Sequence, residues 1–292
     1  MIGAARDPLP KRNFVLETVA VRTSVKENLM TRQSVPLGRI FGISISLDYS
    51  WFLIFALMTW LLARSYFPAE FKHWSRAEYW GVAAATTIML FVSVLLHELG
   101  HSVVALSYKI PVRRINLFLF GGVSEIGAEA PSPKAELLIA AAGPMVSLIL
   151  GFVFFLLEGL TRDVAPLFGL IKYLAYINFA LFFFNLIPGF PLDGGRVFRA
   201  IVWGITHNMR RATLIAANVG RLFGFLFIMF GVWQMLGGNF GGGIWIAFIG
   251  WFLENAASTE ARQVLLQSAI AGHTVEQAMN RHFSTVPASL TL

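Results

Sequence analysis

Long apolar runs separated by short polar segments dominate the chain from residue 40 onward. Just before the first run, Phe41, Ile43, Ile45 and Leu47 alternate with small or polar neighbours. This is the period of a β-strand, and the strand is predicted to end at Asp48. Four apolar runs follow, most of them near the roughly 20 residues that a helix needs to cross a bilayer. They cover residues 49–62, 80–106, 135–157 and 165–187.

A fifth apolar stretch, residues 213–253, is interrupted by glycines at 237, 238 and 241–243. At about 1.5 Å of rise per residue the stretch is too long for one crossing. We therefore predict two helices joined by a glycine hairpin, although Glu254 leaves little apolar length for the second after the glycines. The fold class predicted is an all-α polytopic membrane protein with six transmembrane helices and short membrane-associated β-strands. The second strand, with Ile115, Leu117 and Leu119 in alternation, is expected to pair with the strand before the first span.

Composition supports this class, because 56% of the residues are apolar and only 13% are charged. An ordinary soluble domain has about twice that charged share. The chain contains no cysteine, which excludes disulfides, iron–sulfur clusters, thiolate zinc sites and a cysteine nucleophile. Any metal must therefore be held by His, Asp or Glu. The net charge of +7 is attributed to basic residues that set the membrane topology and contact anionic lipid, rather than to nucleic-acid binding.

The Lys and Arg residues fall mostly on one side of a six-span arrangement. With the N-terminus inside, seventeen of them lie on the side of the two termini and four on the other side. Short cytoplasmic loops collect basic residues. We therefore predict a multi-pass protein of the cell membrane with both termini cytoplasmic, and we interpret residues 1–39 as a basic cytoplasmic tail.

The second span contains His97, Glu98 and His101 in the order His-Glu-Leu-Gly-His. Histidines at i and i+4 share one face of a helix, so both imidazoles can bind one zinc ion. The adjacent glutamate can then contact a water bound to that ion. Ionisable residues in the middle of a span cost several kcal/mol and mark function by default. The alternative is a cluster of hydrogen bonds that packs helices together.

A catalytic zinc normally takes three protein ligands and leaves the fourth position to water. Pro188, Gly189 and Pro191 precede Asp193, and Gly194 and Gly195 follow it. These residues break a helix at membrane depth, which is tolerated only where the backbone lines an enclosed or watery cavity. Taken alone, Asp-Gly-Gly after a span is usually a cytoplasmic turn. Opposite an unfilled zinc site, Asp193 becomes the favoured third ligand.

The motif at 97–101, combined with Asn-Leu-Ile-Pro at 185–188 and Leu-Asp-Gly-Gly at 192–195, resembles the site-2 proteases. The resemblance covers roughly residues 38–260 and includes Ala-Gly-Pro at 142–144. It implies an intramembrane zinc metalloprotease with one Zn²⁺ per chain, bound by His97, His101 and Asp193. It also implies Glu98 as catalytic base, Asn185 near the scissile carbonyl, and the strands near the active site. Many members have Asn where this chain has Ser147, so we carry over no polar role to that position.

The resemblance also bears on domain organisation. Residues 158–166 are too few for a PDZ domain, which excludes the PDZ-bearing branch. The sequence Gly-His-Thr-Val-Glu-Gln-Ala-Met at 272–279, followed by Ser-Thr-Val-Pro at 284–287, resembles the opening of a CBS domain, which the CBS-bearing branch carries after its last span. We assign residues 40–260 to the metalloprotease domain and 272–292 to the start of a truncated CBS-like domain, so that the chain is expected to be a fragment. A complete CBS domain would imply a nucleotide ligand. The alternative interpretation of residues 272–292 is a solvated amphipathic tail. At the other end of the chain, residues 1–29 are an upstream extension if Met30 is the natural start.

The expected activity is zinc-dependent cleavage of transmembrane or membrane-associated proteins in regulated intramembrane proteolysis. The expected partners are the lipid bilayer and a single-span membrane substrate of the anti-sigma or pro-sigma type, with no nucleic acid. A membrane zinc transporter is one alternative, although the sequence has neither further His or Asp pairs on a neighbouring span nor a His-rich loop. A different membrane metalloprotease is another, with a downstream Glu as third ligand.

Overall fold

The computed structural model describes residues 34–119 and 121–270, which divide into two compact units at residues 186 and 187. The predictions for residues 1–29 and 272–292 lie outside the described residues. The first unit contains β1 (Ser34–Ile40), β2 (Ile43–Asp48), α1 (Tyr49–Leu61), α2 (Phe67–Glu70), α3 (Arg76–Ser107), β3 (Val112–Phe118), β4 (Gly121–Ile126), α4 (Pro133–Leu160) and α5 (Ala165–Asn185). The second contains α6 (Asp193–Thr206), α7 (Met209–Leu236) and α8 (Phe240–Ile270).

Among the described residues, five helical segments are long and apolar enough to cross a membrane. They are α3, α4, α5, α7 and the segment Tyr49–Glu70, in which a π-helical turn at Leu62–Tyr66 joins α1 to α2. These segments confirm five of the six predicted spans. The glycine hairpin is also present, between α7 and α8. Helix α8 is not among the five, because Gly241–Gly243 and Glu254 dilute its apolar run, and its role as a sixth span stays a prediction.

The first unit contains a four-stranded sheet in the order β1-β2-β3-β4. Strands β2 and β3 are parallel, with Ile45 opposite Ile115, and the two outer pairs are antiparallel. The predicted pairing of these two strands is therefore confirmed. One face of the sheet buries Ile43 and Ile115 against Leu99 of α3. This packing fixes the sheet against the half of α3 that carries the His-Glu-Leu-Gly-His motif.

The sheet begins earlier in the chain than predicted. Residues 34–39, which the sequence assigns to the cytoplasmic tail, lie in β1 and pair with β2. An edge strand needs backbone hydrogen bonds but no buried face, and most side chains of β1 are exposed. The pattern of apolar positions consequently gives no signal for it. Phe41 lies in the turn between β1 and β2 with a φ of 51° instead of within the strand.

Small residues allow the helices of each unit to approach closely. A Cβ at Gly100 of α3 would lie 3.0 Å from the carbonyl oxygen of Ala142 in α4. In the second unit, a Cβ at Gly231 of α7 would lie 2.5 Å from the carbonyl oxygen of Gly243 in α8. Glycine at such positions is how helices in a membrane gain contact without a hydrophobic driving force between them. The first of these contacts brings α4 against the face of α3 that carries the two histidines.

Candidate metal centre

Two buried imidazoles face each other on α3. His97 and His101 are 5% and 4% exposed, and their Nε2 atoms are 3.2 Å apart. Two nitrogens that each bind zinc at 2.0–2.1 Å with a tetrahedral angle between them would be about 3.3 Å apart. The two rings are therefore already spaced as ligands of one ion.

The opposite nitrogen of each ring is held by α4. The Nδ1 of His101 lies 2.7 Å from the carbonyl oxygen of Ile139. A carbonyl only accepts, so this Nδ1 donates and leaves the Nε2 lone pair for a metal. The Nδ1 of His97 lies 2.8 Å from Oγ of Ser147, which is fully buried. Such outer partners fix the tautomer and the orientation of metal-binding histidines.

Gly143 leaves the space between the two rings open. A Cβ at this position would lie 2.1 Å from Nε2 of His101 and 2.6 Å from Nε2 of His97. Any other residue at position 143 would fill the point at which both lone pairs converge. Paired imidazole donors in a dry, cysteine-free setting suit zinc. The donor set and the open space together fit the metal predicted from the sequence.

Glu98 is positioned by the sheet instead of by α4. Ser124 of β4 donates a hydrogen bond to Oε2 of Glu98 at 2.7 Å. A Cβ at Gly122, also in β4, would lie 2.5 Å from Cγ of Glu98, so a glycine is needed for the strand to pass this close. Ser102 donates to the main-chain carbonyl of Glu98. A carboxylate held in this way beside a metal centre is suited to accept and return a proton.

The remaining predicted residues flank the helix break. Asn185 is the last residue of α5 in the first unit, and Asp193 is the first residue of α6 in the second. Both are half-buried. Within the second unit a Cβ at Gly195 would lie 2.4 Å from the carbonyl carbon of Gly189, so the turn is packed tightly onto the start of α6. The roles of Asn185 and Asp193 stay predictions.

Sequence reasoning missed Ser147, Gly143 and Ser124. A signal for Ser147 did exist, because Gly143 and Ser147 are four apart and share one face of α4 within the otherwise apolar residues 137–157. The comparison with the family noted only that Ser147 replaces an asparagine, and it did not consider that the serine could itself bind a histidine. Ser124 carries no local signal, since its contact with Glu98 depends on the register of a sheet formed from distant segments.

Replacing Ser147 with Ala should lower zinc affinity by about 10- to 100-fold, the usual effect of losing an outer partner of a metal ligand. The fold should be retained, because serine and alanine are close in size. Competition with a chromogenic chelator measures this affinity on purified protein. Ser93→Ala is the matched control, since Ser93 is equally buried on α3 and hydrogen-bonds Asn178 instead of His97. Equal zinc affinity in the two variants would contradict the role of Ser147.

Comparison with known proteins gives concordant matches. The model of Peptidase family M50 matches residues 85–162 and 161–230. Rip3 of Mycobacterium tuberculosis is 39% identical over 260 residues, 88% of this chain. The protein sll0528 of Synechocystis is 40% identical over 261 residues, 89% of this chain. Both names include the description zinc metalloprotease. The chain spans about two thirds of the length of these relatives, 66% and 68%.

Among solved structures, the site-2 protease from Methanocaldococcus jannaschii is similar with a TM-score of 0.53 and 31% sequence identity. The similarity covers 78% of this chain and 95% of that chain. It therefore extends well beyond the segment that carries the histidine motif.

Proposed function

Since the chain belongs to peptidase family M50, we propose that it is an intramembrane zinc-dependent endopeptidase that cleaves transmembrane or membrane-associated proteins in regulated intramembrane proteolysis. The observation that supports this most directly is the pair of Nε2 atoms 3.2 Å apart on a 32-residue apolar helix. A carboxylate adjacent to the pair supplies the second requirement of a hydrolase, a proton acceptor. The relatives' names support the same chemistry.

His97, His101 and Asp193 would hold the zinc ion. The first two are supported by the geometry of α3 and by the space that Gly143 leaves. Asp193 is supported by donor chemistry, because zinc accepts a carboxylate oxygen as third ligand, and by its place after the helix break. When bound, zinc would supply a water of lowered pKa where bulk water is scarce.

Glu98 would accept the proton from the attacking water and later deliver it to the leaving amine. The bond from Ser124 keeps one carboxylate oxygen in place during both transfers. The side-chain amide of Asn185 would donate a hydrogen bond to the carbonyl oxygen as negative charge develops there. Donors aimed at that oxygen lower the barrier by several kcal/mol in a water-excluded site.

The substrate would be a single-span membrane protein, of the anti-sigma or pro-sigma type. Its helix must open locally, because helical carbonyls are hydrogen-bonded and screened from attack. Within the described residues β4 is the terminal strand of the sheet, and the same strand holds Glu98 through Ser124. An opened segment that added to this edge would regain backbone hydrogen bonds next to the catalytic base.

Removing the metal tests the proposed activity directly. Treatment of the purified, reconstituted protein with 1,10-phenanthroline should abolish cleavage of a single-span substrate, and added Zn²⁺ should restore it. Cleavage and bound zinc are measured on the same sample. Cleavage that persists after zinc is gone would contradict the proposal, and zinc flux into vesicles without cleavage would favour the transporter.

The proposed topology can be tested with introduced cysteines, since the natural sequence has none. Ala128 precedes α4, Asp163 follows it, His73 precedes α3, and all three are exposed. A membrane-impermeant maleimide should label Ala128→Cys only from the cytoplasmic side, and His73→Cys and Asp163→Cys only from outside. Labelling of Ala128→Cys and Asp163→Cys from the same side would contradict the arrangement.

A further inference from the structure

The face of the sheet that points away from the core carries a row of charged and hydroxyl side chains. Arg39 of β1 is opposite Ser44 of β2, and Ser44 is opposite Arg114 of β3. Directly paired residues project from the same face of a sheet. Ser44 therefore lies between two arginine residues in this row. We call this surface the arginine groove, a cavity of about 710 Å³ lined by Ser34, Pro36, Gly38, Arg39, Ser44, Ile45, Ser46, Arg113, Arg114 and Glu125.

The arginine groove has an excess of positive charge. Three of its lining residues are arginines and one is acidic, Glu125, which lies 3.6 Å from Arg114. Arg39 on β1 and Arg114 on β3 are separated only by β2, so both side chains are within reach of one anion above Ser44. Forked guanidinium donors together with serine hydroxyls are the groups that proteins use to bind phosphate oxygens. The groove therefore has the chemistry of a phosphate site.

The groove also lies where spanning helices meet the sheet. Strand β2 ends at Asp48 and α1 begins at the next residue, while α3 ends at Ser107 and β3 begins at Val112. Phe41, in the β1–β2 turn at the end of the sheet where β3 begins, is 74% exposed, and Leu37 of β1 is 57% exposed. Basic residues beside exposed aromatic and aliphatic ones are typical of a surface that contacts both headgroups and acyl chains.

We propose that the arginine groove binds the phosphate group of an anionic phospholipid, with Phe41 and Leu37 in contact with its acyl chains. Charge complementarity and the apolar border favour a lipid over a soluble phosphate. The first 33 residues of the chain carry six basic and three acidic side chains, so charge complementarity does not favour them as the occupant. This site goes beyond the proposed protease activity and does not depend on it.

Fluorescent phosphatidylglycerol in mixed detergent micelles is the probe for this site. The double variant Arg39→Gln/Arg114→Gln should bind it about 30-fold more weakly, since each basic residue near an anionic surface is worth about a fivefold change in binding. The double variant Arg210→Gln/Arg211→Gln is the control, because both residues are exposed and lie on the same predicted side. Equal loss in the two double variants, or none in the first, would overturn the proposal. A circular-dichroism spectrum and an unfolding temperature equal to those of the parent protein show that each variant is folded.

A second comparison separates a lipid from a soluble phosphate. Phe41→Asn keeps the turn, because asparagine tolerates the φ of 51°, and should weaken phosphatidylglycerol binding severalfold. Inorganic phosphate at the same concentration as the lipid should not displace it. Displacement by inorganic phosphate at equal concentration, with Phe41→Asn binding the lipid normally, would overturn the assignment to a lipid. Neither measurement uses cleavage. A negative result for lipid binding therefore does not contradict the proposed protease activity, and a negative result for cleavage does not prevent the test of the lipid site.

Discussion

Replacing Glu98 with Gln should abolish cleavage while the protein keeps its zinc. The amide preserves the size of the side chain and can still accept a hydrogen bond from Ser124, but it cannot take a proton at neutral pH. Loss of a general base typically costs 10²–10⁴-fold in rate. Because cleavage within a membrane is expected to be slow, a loss of this size would remove detectable product. Zinc content and cleavage are measured on one purified sample.

Glu129→Gln is the matched control for this variant. Glu129 is an exposed acid between β4 and α4, and its replacement should change neither zinc nor cleavage. Near-normal cleavage by Glu98→Gln would contradict the mechanism proposed above. Loss of zinc in that variant would instead make Glu98 a ligand and would return the transporter to consideration.

Replacing Asp193 with Ala should remove both zinc and activity. The first coordination shell would fall to two imidazoles, and the affinity should drop by more than about 100-fold, since even outer partners are worth 10- to 100-fold. The expected effect on folding is smaller. Asp193 begins α6, and an acid in the first turn of a helix contributes about 0.3–1 kcal/mol through the helix dipole. Zinc by mass spectrometry and thermal unfolding separate the two effects.

Asp163→Ala, in the exposed loop between α4 and α5, provides the comparison for Asp193→Ala and should behave as the parent protein. If Asp193→Ala retains full zinc and full activity, another acid is the third ligand. Glu254 and Glu260 of α8 would then be the next candidates, in line with the alternative metalloprotease considered from the sequence.

The helical spans and the paired histidines could be predicted because each depends on a local period. A helix in lipid must be apolar over its whole length, and ligands at i and i+4 share a face irrespective of the rest of the fold. The first span was nevertheless underestimated, at 49–62 instead of Tyr49–Glu70. Arg64 and Ser65 interrupt the apolar run there, but the backbone continues through the π-helical turn that contains them.

The parts of the site that could not be predicted depend on contacts between distant segments. Ser124 contacts Glu98 from a separate strand, and Gly143 matters only because α4 packs against α3. Strand β1 escaped prediction for a related reason, since its pairing with β2 is made by backbone groups that have no side-chain signature. Patterns along a chain report which face of an element is buried but not which neighbour buries it.

The parallel pairing of β2 with β3 also determines when the catalytic arrangement can form. Ser44 and Arg114 are partners in this pair but are 70 positions apart, and the segment Tyr49–Glu70 and helix α3 lie between them. A chain that is still being inserted therefore cannot complete the sheet until it has crossed the bilayer and returned. Strand β4, which holds Glu98, joins the sheet only through β3. A half-inserted protein therefore lacks the contact from Ser124 that positions Glu98, the proposed proton acceptor.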